Sequence, residues 1–163
     1  MALDSTKVIT GKLVSDSVKI DNVAVGHVHG GVTITKEVTT IDFHSDYSLT
    51  KIGSDQVEVK YIVELSLTEA SVNAFMYSLG IASTNVHGTS ALIIKDTQPS
   101  EVTLEFILDG GANNDFIVYL HACDYTSGAS ISATKDGQLI FPVKFECNAE
   151  DNANEIGYIY QIA

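Results

Sequence analysis

Apolar and polar residues alternate with a period of two along most of the chain. In QVEVKYIVELSL, residues 56–67, Val57, Val59, Tyr61, Val63 and Leu65 fall on one side, and Glu58, Lys60, Ile62 and Glu64 on the other. Successive side chains of a strand point to opposite faces, so this pattern predicts a strand with one buried face. EVTLEFILDG repeats it, with Val102, Leu104, Phe106 and Leu108 set against Thr103, Glu105 and Ile107. DFIVYLHACDY, GQLIFPVKFEC and EIGYIYQI are further runs rich in β-branched and aromatic residues, and KVITGKLV, VTITKEVTTIDF and SALIIKD complete the set. The total is about eight to ten strands. Turn sequences such as DGGANND, SGAS and KDGQ separate them. A mainly β fold follows, a β-sandwich or half-open barrel.

One segment has a different period. In SLTEASVNAFMYSLGI, Val72, Phe75, Met76 and Leu79 stand at the i, i+3, i+4, i+7 spacing of one helical face. This predicts a flanking helix over about residues 67–79 with those four side chains as its core face. Ser66 with Glu69 fits a capping box, Thr68 is an alternative N-cap, and Gly80 stands where a helix C-terminus takes a positive φ. A single apolar stripe suits a helix laid on one side of the sheet.

Between two strand candidates lies IDFHSDYSLTKIGSDQ, residues 41–56, long for a hairpin connection. It predicts an extended hairpin arm. Phe43, Tyr47, Leu49 and Ile52 are scattered among its polar residues. Two readings stay open: a contact surface carrying those four residues, or a plain solvated hairpin.

The chain has 163 residues, 45% of them hydrophobic, which suits one domain over 1–163 with a real core. No apolar run approaches the roughly 18 residues needed to span a bilayer. No basic start followed by an apolar block opens the sequence, which leads us to expect a cytoplasmic product without a membrane anchor. The net charge is −12, and all nine basic residues are lysines. An acidic chain without arginine is poorly suited to gripping phosphate, so nucleic-acid binding and adhesion to anionic membranes are not expected. In a cytoplasmic product Cys123 and Cys147 read as free thiols rather than a disulfide.

Candidate chemistry centres on VAVGHVHGGVTIT. His27 and His29 stand one residue apart and on a strand would share a face, as a metal pinch requires. A metal site needs three or four converging ligands, and no downstream Glu or His stands in a recognisable spacing. Gly30-Gly31 runs into a strand and not a helix, so it reads as the opening of a strand or a bulge and not as a phosphate loop. DGGANND lacks the spacing of a calcium loop and reads as a turn. No nucleophile stands in a recognisable elbow. We therefore expect no catalytic residues, no metal and no cofactor.

The order of these features carries a resemblance. The segment VGHVHGGVTIT, an extended acidic arm, an alternating strand, VELSLTEASVNAFMYSLG and a closing FECNAEDNANEIGYIYQI together resemble the tail tube proteins of long-tailed bacteriophages and related injection machines, over roughly residues 8–162. His27 and His29 depart from that family's pattern. The resemblance implies a structural virion protein assembled in the host bacterial cytoplasm. Its hexameric rings would stack into a hollow tube through which DNA passes without specific binding. It implies as partners further copies of the chain, the tape-measure, tail terminator and baseplate or tip proteins, and a sheath where the tail contracts. The arm with Phe43, Tyr47, Leu49 and Ile52 would bridge subunits and rings. Two other classes remain as alternatives: a non-catalytic, carbohydrate-binding-like β-sandwich, and a small metalloprotein using His27 and His29.

Overall fold

The computed structural model describes residues 12–14, 17–45, 48–68, 71–81, 86–87, 91–94, 100–110, 115–126, 131, 137, 139–149 and 155–162. Alternating sequence becomes antiparallel sheet throughout. The strands are β1 (Lys12–Leu13), β2 (Lys19–Ile20), β3 (Val23–Ala24), β4 (Val28–Ser45), β5 (Ser48–Leu67), β6 (Val86–His87), β7 (Ala91–Leu92), β8 (Val102–Asp109), β9 (Phe116–Tyr125), β10 (Phe141–Cys147) and β11 (Gly157–Gln161), with helix α1 (Val72–Leu79) after β5. Nine of them form one sheet in the order β3-β2-β8-β9-β10-β5-β4, with β1 joined to β8 and β11 to β9, while β6 and β7 pair separately.

The expected alternation holds where it was clearest. Val63, Leu65 and Leu67 of β5 and Val102, Leu104 and Phe106 of β8 are buried. They meet Phe141, Val143 and Phe145 of β10, Val118 and Leu120 of β9, and Val18 and Ile20 in one core cluster. The two halves of the sheet share an interior, and β3 and β4 remain at opposite ends of the order, so the sheet is not closed, as befits a β-sandwich or half-open barrel. Asp21 and Asn22, at φ 51 and 63, turn β2 into β3. Two successive positive-φ residues are the mark of a tight hairpin turn, and Asp21 also accepts the Thr103 backbone N–H at 2.9 Å.

Helix α1 departs from expectation in two ways. It starts at Val72 and not near 67, because β5 continues to Leu67 and pairs there with Phe141 of β10. Ser66, the expected cap, pairs in the sheet with Pro142. Ser71 caps instead, its hydroxyl accepting the Ala74 N–H at 3.1 Å, and Gly80 ends the helix at φ 60. Glu69 lies outside the described residues. The buried face is also different. Ala74, Tyr77, Ser78 and Ile81 are buried along with Met76, whereas Phe75 and Leu79 are 37% and 42% exposed and Val72 is half-buried. Small Ala74 and Ser78 let the helix lie close on β10, where the Ser78 hydroxyl donates to the Pro142 carbonyl at 2.8 Å. Phe75 meets Phe141 of the core in a T-shaped arrangement, ring centroids 4.7 Å apart. Tyr77 stacks at 6.4 Å on Tyr125. Burial holds the Tyr125 phenol well above its ordinary value, with the neighbouring Tyr77 and Asp21 adding to the effect.

The cysteines correct the free-thiol expectation. Cys123 and Cys147 are directly opposed on β9 and β10, with Cα atoms 4.0 Å apart, and are joined as a disulfide. Both are fully buried.

Candidate self-association surface

The arm expected over 41–56 is strand almost to its tip. Strands β4 and β5 pair from Val28↔Leu67 to Ser45↔Ser48. The last β10 partner of β5 is Cys147, opposite Tyr61, so residues 48–60 of β5 pair with β4 alone among the described residues. At about 3.3 Å per residue this two-stranded ribbon is roughly 40 Å long. Along it Ile34, Val38, Ile41, Phe43, Ile52 and Val57 are exposed, Ile52 by 69%. Of the four expected contact residues, Phe43 and Ile52 stand near the tip in open solvent. Leu49 lies on β5, though its side chain is outside the described set, and Tyr47 lies outside the described residues.

The glycines open this ribbon as a bulge. Val28 faces Leu67 and Val32 faces Leu65, so β4 carries two more residues than β5 in that interval. Gly30 and Gly31 adopt φ 76 and 85 there, a region costly for residues with a Cβ. His27 and His29 flank the bulge, both exposed. The His27 carbonyl accepts the Thr68 N–H at 3.1 Å, tying the root of the ribbon to the end of β5. Among the described residues no group of three His, Cys, Asp or Glu side chains is placed to hold a metal ion.

The outer face of the ribbon and of β10 is charged. Lys60 lies 3.4 Å from Glu146 and 4.0 Å from Glu37, and Lys144 lies 2.8 Å from Glu64. The Glu64 carboxylate raises the Lys144 ammonium pKa by hydrogen bond and charge. Near the tip Lys51 pairs with Asp42 at 2.6 Å.

A cleft of about 710 Å³ separates the ribbon from β11. Ile34, Val59 and Tyr61 form one wall, and Val118, Leu120 and Ile159 the other. Its cause is a fork in the sheet. Strand β9 pairs with β11 up to Leu120↔Gly157 and with β10 from Cys123↔Cys147 onward. Between them β9 holds one residue more than β8 (Leu104↔Leu120, then Val102↔Cys123), with Ala122 at φ 24. That bulge bends the strand as its partner changes. Gly157 makes the close join at the fork, where an added Cβ would collide with the Tyr119 carbonyl oxygen and come within 2.9 Å of the Leu120 Cα.

Strand β11 carries the residues that sequence reasoning missed. Tyr158, Ile159 and Tyr160 are 47%, 66% and 45% exposed. Tyr158 stacks on Tyr119 at 5.0 Å, and His121 and Tyr160 extend the row at 5.7 and 5.6 Å from Tyr158. The tyrosines, dispersed in sequence, are thus partly gathered on one face. Partial desolvation, then the neighbouring tyrosines and Glu105, raises the Tyr158 phenol pKa. The signal was present in GYIYQ, where large apolar-bodied residues follow one another without alternation and so put apolar surface on both faces of the strand.

No helix among the described residues is long and apolar enough to cross a membrane. No family model matches the chain, and no curated protein matches it significantly.

Proposed function

We propose that the chain is a structural subunit that self-assembles, in the manner of phage tail tube proteins, into hexameric rings stacked as a hollow tube for DNA. The observation that carries this reading is the exposed ribbon. A two-stranded hairpin is marginal in water by itself, and this one exposes Ile34, Val38, Ile41, Phe43, Ile52 and Val57 without a core of its own. An exposed edge with apolar side chains invites pairing with another chain. Closed rotational symmetry satisfies such edges in the ring, and head-to-tail stacking leaves the axial direction open. The net charge of −12 without arginine favours passage of DNA over its capture. On this reading the protein works in the virion, with tape-measure, terminator and baseplate or tip proteins as neighbours.

Sedimentation velocity across a concentration series, with negative-stain microscopy of the same samples, tests the proposal. Six-fold rings or tubes are expected at high concentration. A chain that stays monomeric even with tail components added refutes it.

The row Tyr119, Tyr158 and Tyr160 favours a second reading, a carbohydrate-binding-like β-sandwich, since aromatic surfaces with polar tips suit sugar rings. Binding on a glycan array that is lost in Tyr158→Ala, together with an absence of self-assembly, would favour this reading over the tube.

A further inference from the structure

The two halves of the sheet are joined at a narrow place. Strand β10 makes seven residue pairs with β5 but only three with β9: Tyr125↔Phe145, Asp124↔Glu146 and Cys123↔Cys147. Strand β9, for its part, makes six with β8 and five with β11. Among the described residues of the sheet, the ribbon and β10 are therefore held to the rest through a short seam of three pairs, flanked by one backbone bond at each end, Thr126 N–H to Lys144 and Asn148 N–H to Ala122. The disulfide lies at the open end of that seam, on the last pair before the fork. Its neighbours Tyr61, Leu120, Ala149 and Gly157 line the apex of the cleft.

We propose that Cys123–Cys147 is a redox-operated lock on this cleft. The disulfide fixes the ribbon wall relative to the β11 wall. The dithiol leaves the seam to its backbone pairing and to the Tyr125–Phe145 ring contact at its far end, 4.8 Å between centroids, so it opens from the fork inward and the walls separate. The bulge at Ala122 places the weak point there, since beyond the cysteines the described strands share one further backbone bond, from the Asn148 N–H to the Ala122 carbonyl at 3.1 Å.

The chemistry is thiol–disulfide exchange with a low-molecular-weight disulfide such as oxidised glutathione. One cysteine thiolate attacks the small disulfide and expels a thiolate. The second cysteine thiolate attacks the resulting mixed disulfide and expels the other. The two protons lost by the cysteines go to the two thiolates released, so the protein loses two electrons and the small disulfide gains them. A dithiol reagent reverses both steps. Both residues are fully buried, so exchange requires the seam to open, and the opening itself controls access. This proposal rests on the seam and not on the tube reading.

Hydrogen exchange read by mass spectrometry, on the full chain with and without dithiothreitol, tests it. Reduction is expected to speed exchange at least tenfold in residues 121–126, 141–147 and 57–61, and less than twofold in 104–108. Cys123→Ser/Cys147→Ser and the better-packing Cys123→Ala/Cys147→Val should both exchange like the reduced protein and ignore the reagent. Unchanged exchange on reduction overturns the proposal. So does an equal increase in every strand, which is global destabilisation and not an opening seam, and so does a response to dithiothreitol in the cysteine-free variants.

Discussion

Replacing Gly157, Gly30 and Gly53 by alanine in turn adds the same methyl group to three backbones under different constraints. At Gly157 the new Cβ meets backbone on β9, the Tyr119 carbonyl oxygen and the Leu120 Cα. Neither can rotate away, so β11 must shift outward and strain its five pairs with β9. Overpacking costs about 1–3 kcal/mol, and the immobility of the obstacle puts this site at the upper end, about 3 kcal/mol. At Gly30 nothing lies within 4 Å, but φ is +76. A left-handed backbone costs a residue with a Cβ about 1–2 kcal/mol, partly offset by lower entropy of the unfolded chain. The expected net loss there is about 1 kcal/mol. Gly53 has open space and no positive φ, so alanine should be neutral or stabilise by about 0.5 kcal/mol. Urea unfolding followed by circular dichroism measures all three. For a domain of this length the Gly157→Ala loss corresponds to a Tm drop of roughly 6–12 °C. If Gly157→Ala unfolds within 0.5 kcal/mol of the parent, or less stably placed Gly30 proves the costlier site, the close join of β11 on β9 is not as described.

Two aromatic truncations separate the real core from the expected one. Phe145→Ala, at a fully buried site, should cost about 3–5 kcal/mol, whereas Phe75→Ala, 37% exposed, should cost under about 2 kcal/mol; denaturant midpoints in the reverse order would refute the helix orientation. The raised Tyr77 and Tyr125 phenols set an alkaline limit: the unfolded chain loses their protons first, so this stability is whole below pH 10 and drains away above it. Tyr125 alone removes about 1.4 kcal/mol per pH unit above 10, and urea midpoints at pH 9, 10 and 11 should show a slope that Tyr125→Phe reduces. Deleting residues 44–54 should leave the remaining fold intact by circular dichroism and abolish assembly; normal tubes from that variant would remove the ribbon tip from the interface.

The strands were legible because alternation reports burial directly, as Val63, Leu65, Leu104 and Phe106 demonstrate. Helix α1 was legible in type but not in start or facing. Ser66 and Glu69 look like a cap, yet seven β5–β10 pairs hold Ser66 in the sheet. Two stripes in the same segment share the helical spacing. Hydrophobicity favours Val72, Phe75, Met76 and Leu79, but close approach to β10 favours Ala74, Tyr77, Ser78 and Ile81. The disulfide and the cleft were not legible, because both depend on where β9 changes partner. The surplus residue near Ala122 causes that change, and it has no marker in the sequence such as a glycine or proline.

That surplus residue has a further consequence, one of parity. Before it the even-numbered Val118 and Leu120 of β9 point inward; after it the odd-numbered Cys123 does. One extra residue inverts the alternation, so the inside of β9 is written in even numbers on one side of Ala122 and odd numbers on the other. The double bulge at Gly30 and Gly31 adds two and leaves the alternation of β4 as it was. Excising that glycine pair together would keep every side chain of β4 on its own face. Excising Ala122 alone would remove the surplus, leave one residue between Leu120 and Cys123 and keep both facing inward, on a strand that has lost its bend.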